Sequence, residues 1–332
     1  MHFTKQIAIA ATLVSYASAH GMVVSMNGAN GVNMPGLTVA DGTPRDCSSN
    51  GCGSQADTAI IRDRDIAAGK CGPLGKTQGN GPVDAAVMIA AFMGTGAAAS
   101  APPTNQGASG ATGTEDNIPA NAQGGARRRQ LAALFGGGGG GGGGGATGIA
   151  GLLGGGGTKA EGAPESGVAA AAGAGATSGM PTAADDGTVD MTFRQVSLLH
   201  LHSPLDHTTD TRPQINQDGA GPFTADVDGT SGGTDEAAFQ SAAVTKDVPG
   251  LGVQGLSLAT STEFDMQIQM PAGMTCDATV AGVNNVCVAR VRNGAAAGPF
   301  GGSVAFTQST AARKRAIAYK LKKRMEIGNV HA

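Results

Sequence analysis

The sequence predicts a mainly-β protein, a disulfide-bearing β-sandwich interrupted by a long Gly/Ala-rich insertion that we expect to be disordered. Short apolar alternations separated by Gly, Pro and Asn turn signals run through residues 215–308, as an antiparallel β domain requires. Residues 187–195 alternate in the same way, and five cysteines are available for disulfides. The chain has 332 residues, but 56 are Gly and its middle is of low complexity, so a single core domain is expected.

Residues 1–19 have the pattern of a secretory signal peptide. Lys5 precedes a short apolar run, and Ala17-Ser18-Ala19 supplies the small residues that signal peptidase requires. The run is too short to span a bilayer, and no second hydrophobic stretch of spanning length follows it. We therefore expect a secreted protein, extracellular or at the cell surface, with cleavage between Ala19 and His20.

Cleavage at this point would make His20 the first residue of the mature chain. An N-terminal histidine offers an α-amine and an imidazole that can chelate one metal ion, and copper favours nitrogen ligands of this kind. The alternative is that a histidine simply follows the cleavage site. His20 is therefore the candidate metal ligand, with copper as the candidate cofactor.

The first part of the sandwich is expected over residues 20–93. Residues 27–68 are rich in loop signals, whereas residues 83–93 contain helix-forming residues and are the best helix candidate of this half. Asp63 and Asp65 could form an acid pair, and a solvated strand or turn is the alternative.

The five cysteines are expected to be mostly disulfides in an oxidising compartment. Cys276 and Cys287 flank a segment typical of a β-hairpin, so we expect them to pair. Two of Cys47, Cys52 and Cys71 could also pair, which leaves one thiol over. A zinc site is disfavoured because the spacings are not paired C-x-x-C units and no histidine lies nearby.

Residues 94–186 are expected to form the flexible insertion. Residues 136–145 are an unbroken Gly tract, and further Gly/Ala runs follow it. Such a segment buries too little apolar surface to offset the entropy lost on ordering. Arg129 ends a triplet of arginines that could be a kexin-type processing site or an ordinary solvated charge cluster.

Residues 196–214 interrupt the strand pattern and contain three of the six histidines. The three are His200, His202 and His207. The codons of Val196-Ser197 can form a fungal 5′ splice signal, the codon of Gln214 can end a 3′ signal, and the segment is in frame. We hypothesise a retained intron, so these histidines are not assigned as metal ligands.

Residues 187–310 are expected to complete the sandwich. Asp218, Asp226 and Asp228 lie close in sequence and could bind calcium or act on a glycan. The alternative is that Asp218 stabilises an Asp-Gly turn while the other two face solvent from a strand.

Arg290 and Arg292 alternate with apolar residues on one predicted strand. This pattern predicts that both side chains point to the polar face of a half-buried sheet. No Ser-His-Asp set can be proposed, because too few histidines remain in the mature body.

Charge is distributed unevenly along the chain. The formal net charge is −3, yet residues 313–332 carry seven Lys or Arg and one Glu, while residues 20–312 sum to −10. An acidic body does not attract phosphate backbones, so we expect no nucleic-acid partner. Residues 311–332 form a basic tail in which residues 311–324 could be helical, with Ile317, Leu321 and Met325 at a spacing of four. Binding to a membrane surface or polyanionic wall, and removal as a propeptide, are both open.

Several motifs resemble those of one known family. They are residues 217–223, 248–250, 270–276, 287–293 and 297–302. Together they resemble the MAS-type, appressorium-specific cell-surface proteins of filamentous fungi, a secreted virulence-factor family first met in powdery mildew. The resemblance implies secretion by a host-invading fungus and action at the cell surface or host interface. A host surface or cell-wall polysaccharide would be the partner, and the resemblance brings no established reaction.

A weaker similarity links His20 and the 287–302 run to lytic polysaccharide monooxygenases. It implies an immunoglobulin-like, lytic-monooxygenase-like β-sandwich in which His20 is a copper ligand. Such a site needs a second histidine on a neighbouring strand, and the strand that would supply it has Arg194 instead. The alternatives to a non-catalytic virulence factor are thus a copper-dependent polysaccharide oxidase and a structural cell-wall or adhesion protein.

Overall fold

The computed structural model describes residues 20–43, 55–96, 103–104, 158–159, 166–196, 219–250, 262–295 and 298–330. Several residues singled out from the sequence lie outside these ranges. They are the signal peptide 1–19, Cys47, Cys52, Arg129, His200, His202, His207 and Asp218.

The described residues are mainly β, which confirms the predicted fold class. The strands are His20–Asn27 (β1), Asn33–Pro35 (β2), Ala59–Ile60 (β3), Lys76–Thr77 (β4), Gly81–Pro82 (β5), Thr158–Lys159 (β6), Thr182–Ala183 (β7), Thr188–Val196 (β8), Phe223–Asp228 (β9), Phe239–Lys246 (β10), Thr262–Gln269 (β11), Ala278–Val280 (β12), Val283–Asn293 (β13) and Phe300–Gln308 (β14). The helices are Asp63–Ala67 (α1), Ala85–Met93 (α2), Gly167–Ala171 (α3), Gly175–Ser178 (α4) and Thr310–Val330 (α5). A 3₁₀ turn spans Glu236–Ala238. None of these helices is long and apolar enough to cross a membrane.

The strands form two layers that are joined through β10. One layer has the order β2-β1-β8-β11-β10, and the other continues through β9, β13 and β14 to the short strands β3, β4 and β5. The first half of β10 pairs with β9 and its second half with β11, so the strand passes from one layer to the other. β1 packs closely against β14 at the other side of the sandwich. A Cβ on Gly302 of β14 would lie only 2.7 Å from the backbone nitrogen of Val23 in β1, so the close approach requires glycine.

The core between the layers is built mainly from alternate residues of five strands, β8, β9, β11, β13 and β14. β8 contributes Val189, Met191 and Phe193, and the neighbouring strand β11 contributes the same alternation. The opposite layer contributes Phe223, Ala225, Val227, Cys287, Ala289, Val291, Val304 and Phe306. The alternation is what a two-layer sheet requires, and full burial of each large side chain stabilises the fold by roughly 1.5–3 kcal/mol.

A second core covers the outer face of β13 and β14. Val288 and Ala305 point away from the central core. They pack with residues 55–96, which we call the N-terminal segment, among them Leu74, Met88 and Phe92. Both faces of β13 are therefore buried. This burial explains why the run around Cys287 carries so few polar residues, whereas a half-buried strand alternates.

Helix α2 supports this second core and realises the helix expected over residues 83–93. Asp84 caps its N-terminus by accepting a hydrogen bond from the amide of Ala86 at 2.8 Å. Gly94 ends the helix in the left-handed conformation, with φ at 69°. The buried side of α2 includes Ile89 and Phe92.

Ordered structure begins before the expected end of the insertion at residue 186. In α3, Val168 is buried in the second core, and Asp41 accepts hydrogen bonds from the amides of Val168 and Ala169 at 3.0 and 2.7 Å. In α4, a Cβ on Gly175 would lie 2.7 Å from the ring of Phe92. The small residues that make this segment resemble a linker thus allow close packing on α2.

The hairpin of β12 and β13 carries a disulfide between Cys276 and Cys287, whose Cα atoms are 4.8 Å apart. This is the pairing expected across the hairpin. Cys71 is a free, buried thiol.

The described residues on either side of the 196–214 segment, Gln195 and Gly219, lie close together. Gln195 pairs with Gly21, and a Cβ on Gly21 would lie 2.8 Å from the carbonyl oxygen of Gly219. The Cα atoms of Gln195 and Gly219 are therefore separated by no more than roughly 12 Å. Residues 215–218 alone can bridge roughly 16 Å.

We propose that residues 196–214 are a retained intron and that the fold does not need them. On deletion, Ile215 would take the position of Val196 opposite His20, and both side chains are β-branched. A variant lacking residues 196–214 should unfold within a few degrees of the full chain in a thermal melt. Transcript sequencing should show messages without the 57 nucleotides of these 19 codons.

The control is Phe193→Ala in both backgrounds, which removes a fully buried ring beside the junction. It should cost about 3–5 kcal/mol of unfolding free energy in each. A large loss of stability on deletion alone would contradict the proposal.

Candidate functional site

The first candidate site is the beginning of β1. The strand starts at His20, opposite Val196, and continues with Gly21 opposite Gln195 and Met22 opposite Arg194. Gly21 is required here, because a Cβ at this position would lie 2.3 Å from the ring of Phe193. Packing of the sandwich therefore accounts for the glycine of the His-Gly pair.

The described residues around β1 do not complete a two-histidine copper site. Arg194 on β8 is held by Glu263 of the next strand, with its Nε donating to Oε1 at 2.8 Å. The described part of the chain contains no group of three or more His, Cys, Asp or Glu side chains able to hold a metal. His20 is the one histidine within it, so no second imidazole is supplied there.

The second candidate site is the ion cluster around Arg290. Its guanidinium donates to both carboxylate oxygens of Glu236, at 2.6 and 2.7 Å, and to Asp226 at 3.2 Å. It also donates to the carbonyl oxygen of Pro73 at 2.9 Å and lies 4.3 Å from the ring centroid of Phe239. Bidentate pairing and a cation–π contact make this a tightly defined arrangement.

The prediction that Arg290 points to a solvated polar face is wrong, because only 3 % of this residue is exposed. The N-terminal segment covers this face of β13 through the backbone around Pro73. Desolvation lowers the pKa of the Arg290 guanidinium, but the hydrogen bonds and charges of Glu236 and Asp226 outweigh it and raise that pKa. Arg290 is therefore a permanently charged structural residue whose donors are committed.

Asp228 closes the turn after β9. It is fully buried and accepts hydrogen bonds from the amides of Thr230, Ser231 and Gly233, at 2.8, 2.9 and 2.6 Å. Burial raises the pKa of the Asp228 carboxyl, but these hydrogen bonds and the one from the Ser231 hydroxyl lower it below the usual value. The expectation that Asp226 and Asp228 face solvent is therefore wrong for Asp228, and neither carboxylate is left over for calcium.

The same turn contains a Gly-x-Ser-x-Gly sequence, residues 229–233, which sequence reasoning passed over. The Oγ of Ser231 donates to Asp228 and accepts from the amides of Thr234 and Asp235, at 3.1 and 2.9 Å. A 3₁₀ turn rather than a long helix follows. Ser231 is therefore a turn residue and not a nucleophile on a strand-to-helix elbow.

Asp63 and Asp65 lie in α1 and have separate partners. Asp63 forms an ion pair with Arg292, and Asp65 forms ion pairs with Lys76 at 3.2 Å and Lys70 at 3.9 Å. Burial raises the pKa of Asp65, but the hydrogen bond and charge of Lys76 outweigh it and lower that pKa. These carboxylates are therefore not an acid pair for catalysis.

The third candidate site is an open groove of about 550 Å³ between α5 and the end of the sandwich. Its polar lining includes Asp186, Ser241, Gln269, Gln308, Arg315 and Tyr319. Its apolar lining comes from the 270–274 loop, including Met270 and Met274. A ligand that presents both hydroxyl groups and apolar faces, as a glycan does, suits this lining.

Helix α5 forms one wall of the groove and is held by polar contacts at its N-terminal half. Arg313 donates to the carbonyl of Cys276 and to Asp277, at 2.5 and 2.6 Å, and Lys320 donates to Thr275 at 3.1 Å. The ring of Tyr319 lies over the 270–274 loop, where a Cβ on Gly273 would be 2.8 Å from it.

The sequence does not predict this groove, because its walls come from segments far apart in the chain, such as residues 185–187, 269–274 and 312–319. The one available signal is Gly273 in the Met-Pro-Ala-Gly-Met run. Its φ of 81° favours glycine, and the absence of a side chain admits Tyr319.

The fold and these sites define a disulfide-bearing β-sandwich with a basic C-terminal helix beside an open groove. The sequence profile of the Egh16-like virulence factor family matches residues 18–301, and the chain belongs to that family. The appressoria-specific virulence factor GAS2 of Pyricularia oryzae is 48 % identical over 324 residues, which cover 98 % of this chain and 95 % of the relative. These matches confirm the resemblance to appressorium-specific virulence proteins.

A second relative matches over a shorter region. The appressoria-specific virulence factor GAS1 of Pyricularia oryzae is 38 % identical over 117 residues, which cover 34 % of this chain and 45 % of that protein. No solved structure matches the fold.

Arg290→Met should destabilise the protein by about 3–5 kcal/mol, because it removes a buried guanidinium with all its hydrogen bonds and leaves the partly buried Asp226 without its cation. The measurement is the free energy of unfolding in a chemical denaturation series. Arg292→Met is the matched control two residues along the same strand. Its partner Asp63 is 79 % exposed, so its loss should be below about 1 kcal/mol. Equal, small losses in both variants would contradict a structural role for the Arg290 cluster.

Proposed function

We propose that this protein is a secreted fungal virulence factor that acts at the cell surface or host interface during appressorium-mediated penetration. The observation that carries the proposal is the 48 % identity with GAS2 over 98 % of the chain, since GAS2 is named an appressoria-specific virulence factor. The signal-peptide pattern of residues 1–19 supports secretion.

We further propose that the protein acts by binding a host-surface or cell-wall polysaccharide in the groove beside α5. Charged side chains of the other two candidate sites already have partners in the described part of the chain. Arg194 pairs with Glu263, Arg290 pairs with Glu236, and Asp228 accepts from backbone amides. In the groove, Tyr319 is 46 % exposed and Ser241 is exposed on β10. An exposed aromatic ring and a rim of carboxylate, amide and hydroxyl side chains provide the stacking and hydrogen bonding that a sugar ring needs.

Filling or truncating the groove should abolish binding and function together. Ser241→Trp fills it from an exposed strand position, and Tyr319→Ala removes the ring. Both variants should lose most retention on an insoluble cell-wall fraction, by about tenfold or more. Ser241→Trp occupies the space that a sugar ring would take, and Tyr319→Ala removes the ring on which it would stack. Neither should restore host penetration to a fungus that lacks the gene.

The matched control is Thr224→Trp, which adds the same side chain to an exposed position on β9 outside the groove. It should behave as the unaltered protein in both assays. Full retention and full restoration by Ser241→Trp would place the site elsewhere. Normal penetration by a fungus without the gene would contradict the virulence function itself.

A copper-dependent oxidase is the second candidate. It is favoured because β1 begins at His20, the residue that cleavage after Ala19 would make the N-terminus. If it holds, the secreted protein begins at His20 and binds one Cu²⁺ with a sub-micromolar Kd by calorimetric titration. His20→Ala should then abolish binding, since it removes the imidazole of the chelate. The control is Met26→Leu, farther along β1, which leaves the chelate intact. No binding of Cu²⁺ by a chain shown to begin at His20 would contradict this candidate.

A further inference from the structure

Helix α5 carries most of the large apolar side chains that the described residues expose. Four of the five such residues lie on it: Ile317 at 43 % exposure, Tyr319 at 46 %, Leu321 at 53 % and Met325 at 65 %. The fifth, Val87, lies on α2. Concentration of exposed apolar surface on one element marks an interaction site.

Three of these residues form one stripe on the outward side of the helix. Ala312 and Ala316 are buried against the sandwich and define the inward side of α5. An α-helix turns by about 100° per residue, so Ile317, Leu321 and Met325, which are four residues apart, are offset by only about 40° from one to the next. All three lie on the side opposite Ala312 and Ala316. We call these three residues the outward stripe. Tyr319 belongs to the groove wall instead.

Cations accompany the outward stripe. At about 100° per residue, Lys314 lies on the outward side itself, Arg324 lies on one side of the stripe and Lys322 on the other, whereas Lys323 falls on the side of Ala312 and Ala316. Lys314, Lys323 and Arg324 are exposed and make no ion pair within the described part of the chain. Lys322 is 75 % exposed and has only a surface contact of 3.8 Å to Glu326. Residues 313–332 carry seven Lys or Arg against one Glu. The helix is thus strongly cationic around a narrow apolar strip.

We propose that the outward stripe and its flanking cations bind the surface of an anionic lipid membrane, with α5 lying in the plane of the interface. A stripe parallel to the helix axis inserts its side chains between headgroups while the flanking cations contact the phosphates. A purely polyanionic glycan would leave the three apolar side chains in water. The acidic charges of the body act weakly on this surface, because ions screen charges beyond roughly 8–10 Å.

This surface lies on the other side of α5 from the groove and does not depend on the proposed function. Substitutions in the outward stripe leave the groove lining unchanged, because Ile317, Leu321 and Met325 are absent from it. The two surfaces can therefore be tested separately.

The test is co-sedimentation of the full-length secreted protein with phosphatidylcholine vesicles prepared with and without phosphatidylserine. Mass spectrometry first establishes that residues 313–332 are present. The protein should bind the anionic vesicles, bind the neutral ones far more weakly, and be released by salt. Leu321→Ser with Met325→Ser should weaken binding at least about tenfold. Lys314→Gln, Lys322→Gln and Arg324→Gln together should weaken it on the order of 100-fold.

Val87→Ser is the matched control, since it removes the one exposed large apolar residue that the described chain carries outside α5. It should bind as the unaltered protein does, and circular dichroism should show that all variants are folded. Failure to bind anionic vesicles overturns the proposal, as does a secreted chain that lacks residues 313–332. The proposal is also overturned if the protein binds soluble polygalacturonate and the Leu321→Ser, Met325→Ser variant still does. It is overturned as well if the protein dimerises and this double change abolishes the dimer.

Discussion

The buried guanidinium of Arg290 is the interaction on which the layered arrangement depends. It connects β13 to β9 through Asp226, to the 3₁₀ turn through Glu236, and to the N-terminal segment through the carbonyl of Pro73. The contact with Pro73 joins parts of the chain that are 217 residues apart. A buried cation tolerates little displacement of its partners, because each lost contact leaves a desolvated charge. The cluster therefore fixes how the N-terminal segment covers the outer face of β13, and the second core forms beneath that cover.

The sequence was a good guide to elements whose signal is local. The alternation of Val189, Met191 and Phe193 identifies β8, and the helical pattern after Asp84 identifies α2, because strand and helix periodicities are visible within a few residues. The family was accessible for the same reason, since its motifs are contiguous. The hairpin disulfide is likewise flanked by its own turn.

Features created by tertiary contact could not be predicted in this way. Arg290 and Asp228 follow the alternation that usually places polar groups in solvent. Arg290 is covered by the N-terminal segment, and Asp228 is enclosed by the turn of residues 229–233. Val168 lies in a Gly/Ala-rich stretch whose composition conceals it, yet it packs in the second core. The groove escaped detection because Gly273 and Tyr319 meet only after α5 returns to the sandwich. The periodicity of a short stretch of sequence contains no information about contacts between distant parts of the chain.

Helix α5 gives the molecule two different surfaces. Its inward side rests on Ala312 and Ala316 and completes the groove, while its outward side presents apolar and cationic residues to the surroundings. Both proposals require the first turns of α5 to be held on the sandwich. Hydrogen–deuterium exchange of the protein with residues 313–332 intact tests this requirement most directly. Amides of residues 313–320 should exchange at least about tenfold more slowly than those of residues 321–330, because the contacts with the sandwich described for this helix come from its first turns. Uniformly rapid exchange from residue 310 onward would contradict the account.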